Sequence, residues 1–385
     1  MKVVVGLSGG VDSSVAAYLL KKAGHQVIGI FMRNWSNNDA GPNCTWVEDS
    51  TDALLVAEKL DIPFQVVDLS EAYYTRVVEY MFAEYAKGRT PNPDVLCNRE
   101  IKFDVFLQVA TDLGADAVAT GHYARVRNNN GTYELLAGVD ATKDQSYFLC
   151  QLNQKQLSKA IFPIGELHKK EVRALAQELG LITAQKKDSQ GLCFVGHIQL
   201  PVFLQQKLQS KKGAVVLLPK NLIQYQEKNK LEKNIKNLPS LAEDFSYQPE
   251  DGKIIGEHIG AHYYTVGQRK GLQIGGFKNP LFILQIDTEK NIVYVGEGED
   301  HPGLYRPALE LESLHFLDDK NQFLLQEKKD FLVRIRYRQD LQKATLYQQE
   351  NQFFVLFEKN QRAIAKGQFA AFYQEEVLKA SGVII

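Results

Sequence analysis

The chain has 385 residues, 44% hydrophobic and 24% charged, which is too long for one compact core and too apolar for a disordered chain, so two or three domains of ordinary size are expected. A net charge of −1 supplies no global field for a polyanion, and a nucleic-acid partner would need a local basic face. No apolar run approaches the roughly 20 residues of a membrane span, and Met1-Lys2-Val3-Val4-Val5 leads into a glycine loop rather than a signal peptide, so a cytoplasmic protein with no membrane partner is expected.

Val3, Val4, Val5 and Leu7 form a first strand, and Val15, Ala16, Leu19 and Leu20 mark an amphipathic helix. Between them lies Gly6-Leu7-Ser8-Gly9-Gly10-Val11-Asp12-Ser13. Its glycines admit a polyanion close to the backbone, Ser8 and Ser13 add hydroxyl donors, and the helix N-terminus offers N–H groups and a positive dipole end. There is no Gly-Lys-Ser/Thr ending for γ-phosphoryl transfer and no G-x-G-x-x-G for a dinucleotide. Ser-Gly-Gly-x-Asp-Ser resembles the pyrophosphatase-type loop (PP-loop), whose enzymes split ATP between the α and β phosphates and place AMP on an oxygen of a second substrate.

Downstream, Gln26 to Phe31 reads as a strand, Glu48 to Leu60 as a helix, Phe64 to Val67 as a strand, Ser70 to Lys87 and Ile101 to Leu113 as helices, and Ala117 to Ala119 as a strand. The alternation predicts an α/β fold with a parallel sheet. Gly88 to Asn98, with Pro91 and Pro93, reads as an ordered loop without regular structure. Lys211 to Asp251 is rich in Lys, Gln, Asn and Glu and reads as an exposed, mobile insertion. Beyond Gly275 short alternating strands (281–286, 292–295, 331–338, 344–347, 353–357, 369–373) predict a small β-barrel or sandwich. In the 331–338 strand, period-2 alternation puts Arg334, Arg336 and Arg338 on one face, which suits a phosphate backbone.

Of the four cysteines, Cys150 sits in the apolar run Tyr147-Phe148-Leu149 and reads as core, while Cys44 is ambiguous. Cys97 and Cys193 sit in polar, Gly- or Pro-containing segments, Asp94-Val95-Leu96-Cys97 and Asp188-Ser189-Gln190-Gly191-Leu192-Cys193. Beside an ATP loop, two such thiols suggest sulfur transfer: one carries a persulfide, the second resolves it, and Asp94 moves a proton.

The chain resembles the bacterial tRNA-specific 2-thiouridylase family. The likeness rests on the early loop, on Thr90-Pro91-Asn92-Pro93-Asp94-Val95-Leu96-Cys97-Asn98, Thr120-Gly121-His122-Tyr123-Ala124, Lys143-Asp144-Gln145-Ser146-Tyr147-Phe148-Leu149, Gly191-Leu192-Cys193-Phe194, Tyr264 to Leu272, and Arg336-Tyr337-Arg338-Gln339. It implies a PP-loop domain over 1–200, a central domain over 201–275 with a polar insertion around 218–250, and a tRNA-binding C-terminal β-barrel over 276–385. The implied reaction is ATP-dependent 2-thiolation of the wobble uridine. By resemblance, Cys193 carries the persulfide, Cys97 is the second catalytic thiol, and Asn92, Pro93 and Asp94 meet the target uracil. Gly6, Leu7, Ser8, Gly9, Gly10, Val11, Asp12, Ser13, Met32 and Gly121 hold ATP with Mg2+. His122, Lys143, Asp144, Gln145, Arg336, Tyr337 and Gln368 approach the tRNA, although Lys366 stands where the family's turn usually has proline. A sulfur-donor protein, a cysteine desulfurase or relay carrier, is implied as a partner, and no metal ligand is assigned.

Other uses of these residues exist: an amide-forming synthetase of the same loop class, a nucleotide-sensing module, or an iron–sulfur cluster on Asp94, Cys97 and Cys193. The first leaves Cys97 and Cys193 idle, and the second leaves the arginine-faced barrel idle.

Overall fold

The computed structural model describes residues 1–35, 46–187, 200–318 and 328–385. Strands β1 (Lys2–Gly6), β2 (Gln26–Arg33), β3 (Phe64–Asp68), β4 (Ala117–Ala119) and β7 (Ala160–Ile161) form a parallel sheet in the order β3-β2-β1-β4-β7. On β1, Val3 and Val5 join one apolar cluster and Val4 the other, because successive side chains point to opposite faces. Helices cover both faces, which is why the strand reads as an unbroken apolar run. From β1 the chain runs outward to β2 and β3 on one side and to β4 and β7 on the other. The crevice at the carboxyl ends of β1 and β4 is therefore a topological switch point, where open α/β sheets bind ligands.

Helix α1 spans Val11–Lys22 and α2 spans Trp46–Lys59; α3 covers residues 70–86 and α4 residues 93–112, each of the last two with an internal π-helical stretch, Tyr74–Val78 and Cys97–Val105. The irregular segment expected up to Asn98 ends earlier. Asn92 caps α4 by accepting the Val95 N–H at 3.2 Å, and Pro93 occupies the first helical position, where a missing N–H costs nothing. Cys97 therefore lies inside a helix with no solvent exposure, not in the polar loop that its flanking residues suggest.

A second sheet follows, built from β8 (Gly213–Leu218), β9 (Lys253–His258), β10 (Leu281–Asp287) and β11 (Ile292–Glu297) in the order β10-β11-β8-β9. The strands around 281–286 and 292–295, expected to open the C-terminal barrel, belong here. Alternation identifies a strand but not its partner, and β11 pairs in parallel with β8 from eighty residues upstream.

The stretch 211–251 is also not a loose insertion. Val215, Val216 and Leu218 are buried in β8, and Tyr225, Leu238 and Leu241 are buried beyond it. Apolar residues among its polar majority anchor it: Leu238 and Leu241, three apart in the helix Leu238–Ala242, pack with Ala308 and Phe354. Leu238→Ala is expected to lower unfolding stability by about 2–4 kcal/mol in a urea titration; a detached insertion would show no change.

The third unit contains β12 (Tyr305–Leu311), β14 (Lys329–Arg334), β15 (Gln342–Gln349), β16 (Gln352–Arg362), β17 (Phe369–Gln374) and β18 (Val377–Val383), antiparallel in the order β12-β16-β15-β14-β17-β18. A bridge between Leu311 and Ile384 brings β12 back to the end of β18. The hairpin β5 (Ala124–Asn129) and β6 (Thr132–Ala137) of the first unit extends this sheet through β6 and β18. Its turn uses positive φ at Asn130 and Gly131, the two-residue geometry that Asn-Gly favours.

β14 stops at Arg334, so the row of three arginines on one strand face does not form. Arg334 is buried, while Arg336 and Arg338 are exposed beyond the strand end, where Arg338 has a φ of 62°.

Candidate active site at the junction of three units

Two glycines shape the crevice at the carboxyl end of β1. Gly9 has a φ of 70°, and a Cβ there would lie 2.2 Å from the Asp49 carbonyl oxygen; a Cβ on Gly121 would lie 2.6 Å from the Ser13 nitrogen. The loop after β1, the start of α1 and the segment after β4 thus meet as closely as bare backbone permits. Ser8 N–H donates to Ser13 Oγ at 3.1 Å, and Ser14 Oγ donates to the Gly10 carbonyl at 2.8 Å, fixing the turn. Met32 is buried with its Cε against Gly6.

Asp12 is held by two partners that sequence inspection missed. The Lys169 ammonium donates to both carboxylate oxygens at 2.8 Å, and the Tyr123 hydroxyl donates to one at 2.9 Å. Lys169 comes from the start of the helix Lys169–Glu178, and no motif marks it. On the opposite wall Lys186 bridges Asp49 at 2.7 Å and Asp52 at 2.5 Å. Burial works against its charge, but the two carboxylates outweigh that, and its pKa is raised.

Around Cys97, Val95, Leu96, Ile101 and Phe103 are buried. Among the described residues Asp94 Oδ1 and Asn98 Oδ1 are buried without a hydrogen-bond partner, four residues apart on α4 with Cys97 between them in the chain. An unpaired buried acceptor costs about 1–3 kcal/mol, so two side by side mark a place where a donor is expected to bind. Asn98 Nδ2 donates to the Phe148 carbonyl at 3.1 Å, and the Phe148 ring lies 4.4 Å from that of Tyr337.

Gln368, expected near tRNA, is instead locked onto the segment before α4. Its Nε2 donates to the carbonyls of Thr90 at 2.8 Å and Pro91 at 3.3 Å, and its Oε1 accepts from Asn92 Nδ2 at 3.1 Å. Thr265 of the middle unit adds a hydroxyl contact to Thr90 at 3.2 Å. All three units thus converge on residues 90–92.

The remaining expected tRNA contacts divide. Asp144 is 4% exposed: it accepts the Gly138 and Ser146 N–H groups and pairs with Arg334 at 3.0 Å. This buried pair removes both residues from the surface that the sequence assigned to Asp144 and to the arginine row. Gln145 accepts the Tyr123 N–H through its side chain at 3.0 Å, and Lys143 lies half-buried in the same turn. Pro93 and Tyr337 are also half-buried, and Arg336 donates to the Arg362 carbonyl. Cys193, Cys44 and the segment Gly191 to Phe194 lie outside the described residues.

His122 is buried, with Nδ1 2.7 Å from Thr120 Oγ1 and Nε2 3.5 Å from Lys102 Nζ. An ammonium can only donate, so Nε2 accepts and Nδ1 carries the proton toward Thr120. Burial first, and Lys102 second, push its pKa well below 6.5. The unfolded chain then binds more protons than the folded one below pH 6.5, so stability is full above that pH and lost as pH falls, by about 1.4 kcal/mol per unit until the folded group titrates. Urea midpoints from pH 7.5 to 5.5 should therefore fall less steeply for His122→Gln than for wild type.

Family models place a tRNA methyl transferase HUP domain over residues 1–197, a tRNA methyl transferase PRC-barrel domain over 239–297 and an aminomethyltransferase beta-barrel domain over 306–384. The tRNA-specific 2-thiouridylase MnmA of Christiangramia forsetii is 55% identical over 392 residues, covering 100% of this chain and 99% of its own. The chain belongs to the tRNA-specific 2-thiouridylase family. The MnmA protein of Streptococcus agalactiae is 45% identical over 390 residues, covering 100% of this chain and 95% of its own. A solved 4-thiouridine synthetase bound to RNA and ATP is 18% identical with a TM-score of 0.32, over 53% of this chain and 50% of that one. That likeness is too distant to bear on the assignment. The three matched units are thus a HUP domain, a PRC-barrel and a β-barrel. Among the described residues no helix is long and apolar enough to cross a membrane.

Proposed function

We propose that the chain replaces O2 of the wobble uridine in tRNA by sulfur, converting ATP to AMP and pyrophosphate. The observation that carries the residue assignment is the pair of unpartnered acceptors, Asp94 Oδ1 and Asn98 Oδ1, beside Cys97. A flipped uracil brings one N–H donor, at N3, between two carbonyls, and extrusion from an anticodon loop costs less than from a duplex. ATP lies at the switch point, its phosphates against the N–H groups of Gly9, Gly10 and Val11 and its adenine near Met32 and Gly121.

Uracil O2 attacks the α-phosphorus and pyrophosphate leaves. The terminal sulfur of a Cys193 persulfide then attacks C2, and AMP departs with the former O2. The Cys97 thiolate attacks the Cys193 sulfur, breaking the S–S bond; the sulfur stays on C2 and a Cys97–Cys193 disulfide forms. An external thiol reductant restores the enzyme, and a sulfur-donor protein reloads Cys193.

Asp12 is engaged by Lys169 and Tyr123, and no group of three metal-ligating side chains occurs among the described residues. Mg2+ brought with the triphosphate would neutralise its charge there. In this reading Lys143, Gln145, Arg336, Arg338 and Tyr337 contact the tRNA. The proposed reaction draws on tRNA and ATP and is expected to run in the cytoplasm.

Nucleoside mass spectrometry of unmodified tRNA incubated with the protein, ATP and a cysteine desulfurase system tests this reading. It expects ATP-dependent 2-thiouridine, and pyrophosphate released only with tRNA. Pyrophosphate release without tRNA, or none of the thionucleoside, would overturn it.

A further inference from the structure

We infer that Asp244, in the segment between β8 and β9, is a positioning residue for the catalytic helix α4, acting through Arg306 and Lys366. The inference rests on the proposed thiolation reaction for its catalytic consequence, though not for its geometry. Asp244 Oδ1 pairs with Arg306 at 2.6 Å and Oδ2 with Lys366 at 2.8 Å. Arg306 is 7% exposed and also donates to the carbonyls of Ala242 at 2.6 Å and Ile364 at 3.4 Å. One carboxylate thus ties the middle unit to the turn 363–368 at Lys366 directly and at Ile364 through Arg306.

That turn is the clamp on the active-site segment. The Lys366 carbonyl accepts the Thr90 N–H at 2.7 Å, a Cβ on Gly367 would lie 3.0 Å from the Thr90 backbone, and Gln368 holds Thr90, Pro91 and Asn92. Asn92 in turn caps the helix that presents Asp94, Cys97 and Asn98. The path from Asp244 to the capping residue therefore consists of ion pairs and hydrogen bonds joined through the backbone of the turn. The Lys366 pair alone is half-exposed and would contribute little. The buried Arg306 changes that, because without Asp244 its guanidinium loses its counter-charge. Relaxation of Arg306 would release the Ile364 carbonyl and loosen the turn.

The test compares Asp244→Asn, Lys366→Met, the double variant and Asp244→Glu in the full-length protein. Thiolation kinetics are followed with tRNA, ATP and a cysteine desulfurase, and amide exchange is followed at Thr90 and Val95. Asp244→Asn is expected to lower kcat about five- to tenfold while KM for ATP stays within about twofold, and to speed exchange at both amides. The double variant should be no worse than Asp244→Asn, since both act through one carboxylate, and Asp244→Glu should restore most of the rate. Unchanged exchange at Thr90 and Val95 in Asp244→Asn would overturn the inference, as would a loss of kcat that Asp244→Glu does not recover. If the wild type makes no 2-thiouridine but exchange responds as expected, the reaction is wrong and the brace stands.

Discussion

Cys97→Ser is expected to reduce 2-thiouridine formation by at least about 10³-fold, and Cys193→Ser to do the same. The two blocks differ in kind. Without Cys193 no sulfur reaches the adenylated carbon, so pyrophosphate forms, AMP stays on uracil O2 until water releases it and regenerates uridine, and no thionucleoside appears. Without Cys97 the sulfur reaches C2 but the S–S bond to Cys193 is not cleaved, so tRNA should remain attached to the protein until a thiol reductant frees it. Cys97 is fully buried among apolar residues, and serine differs from it by one atom, so ATP affinity and the urea midpoint measured in parallel should stay close to wild type. Wild-type yield from either variant would remove that thiol from the mechanism. Cys150 is a control of the opposite kind. Burial pushes its thiol up to about 12, far from a reactive thiolate, and Cys150→Ala should cost stability rather than chemistry.

Gly9→Ala is expected to weaken ATP binding by at least about thirtyfold, measured by calorimetry or a fluorescent nucleotide. At a φ of 70° an alanine costs about 1–2 kcal/mol by itself, and its Cβ would stand 2.2 Å from the Asp49 carbonyl, a backbone atom that cannot swing away. Either the loop or the start of α2 must move, and the phosphate site moves with it. Gly131→Ala separates strain from site. Gly131 has a φ of 88° but nothing within 4 Å of its Cβ position, so it should lose stability and keep ATP affinity. Equal losses of affinity in both variants would show that the loop geometry is not what holds the nucleotide.

Chain-local signals carried much of this molecule. The strand–loop–helix at residues 2–22 is encoded by an apolar run, a glycine pair and a 3.6-residue period, all within one segment, and it forms where those signals place it. Asn130-Gly131 encodes the β5–β6 hairpin as locally, although it is easily passed over. The sequence segment Thr90 to Asn98 marks the site, yet its prolines misdirect. Pro91 keeps the chain extended, while Pro93 starts a helix because the first helical N–H needs no partner.

Short stretches of chain were enough to read the α/β class of the first unit and its strand–loop–helix turn, and to single out the two thiols for testing. Contacts between distant segments settled what remained. They paired β11 with β8, buried Arg334 against Asp144, tied Asp12 to Lys169, and set Gln368 on the cap of α4. The partners in those contacts lie between about eighty and 280 positions apart, and a charged or amide side chain carries no mark of which distant group will satisfy it. Burial makes that choice, because a polar group removed from water must find a partner in the fold, and the fold alone says which one is within reach.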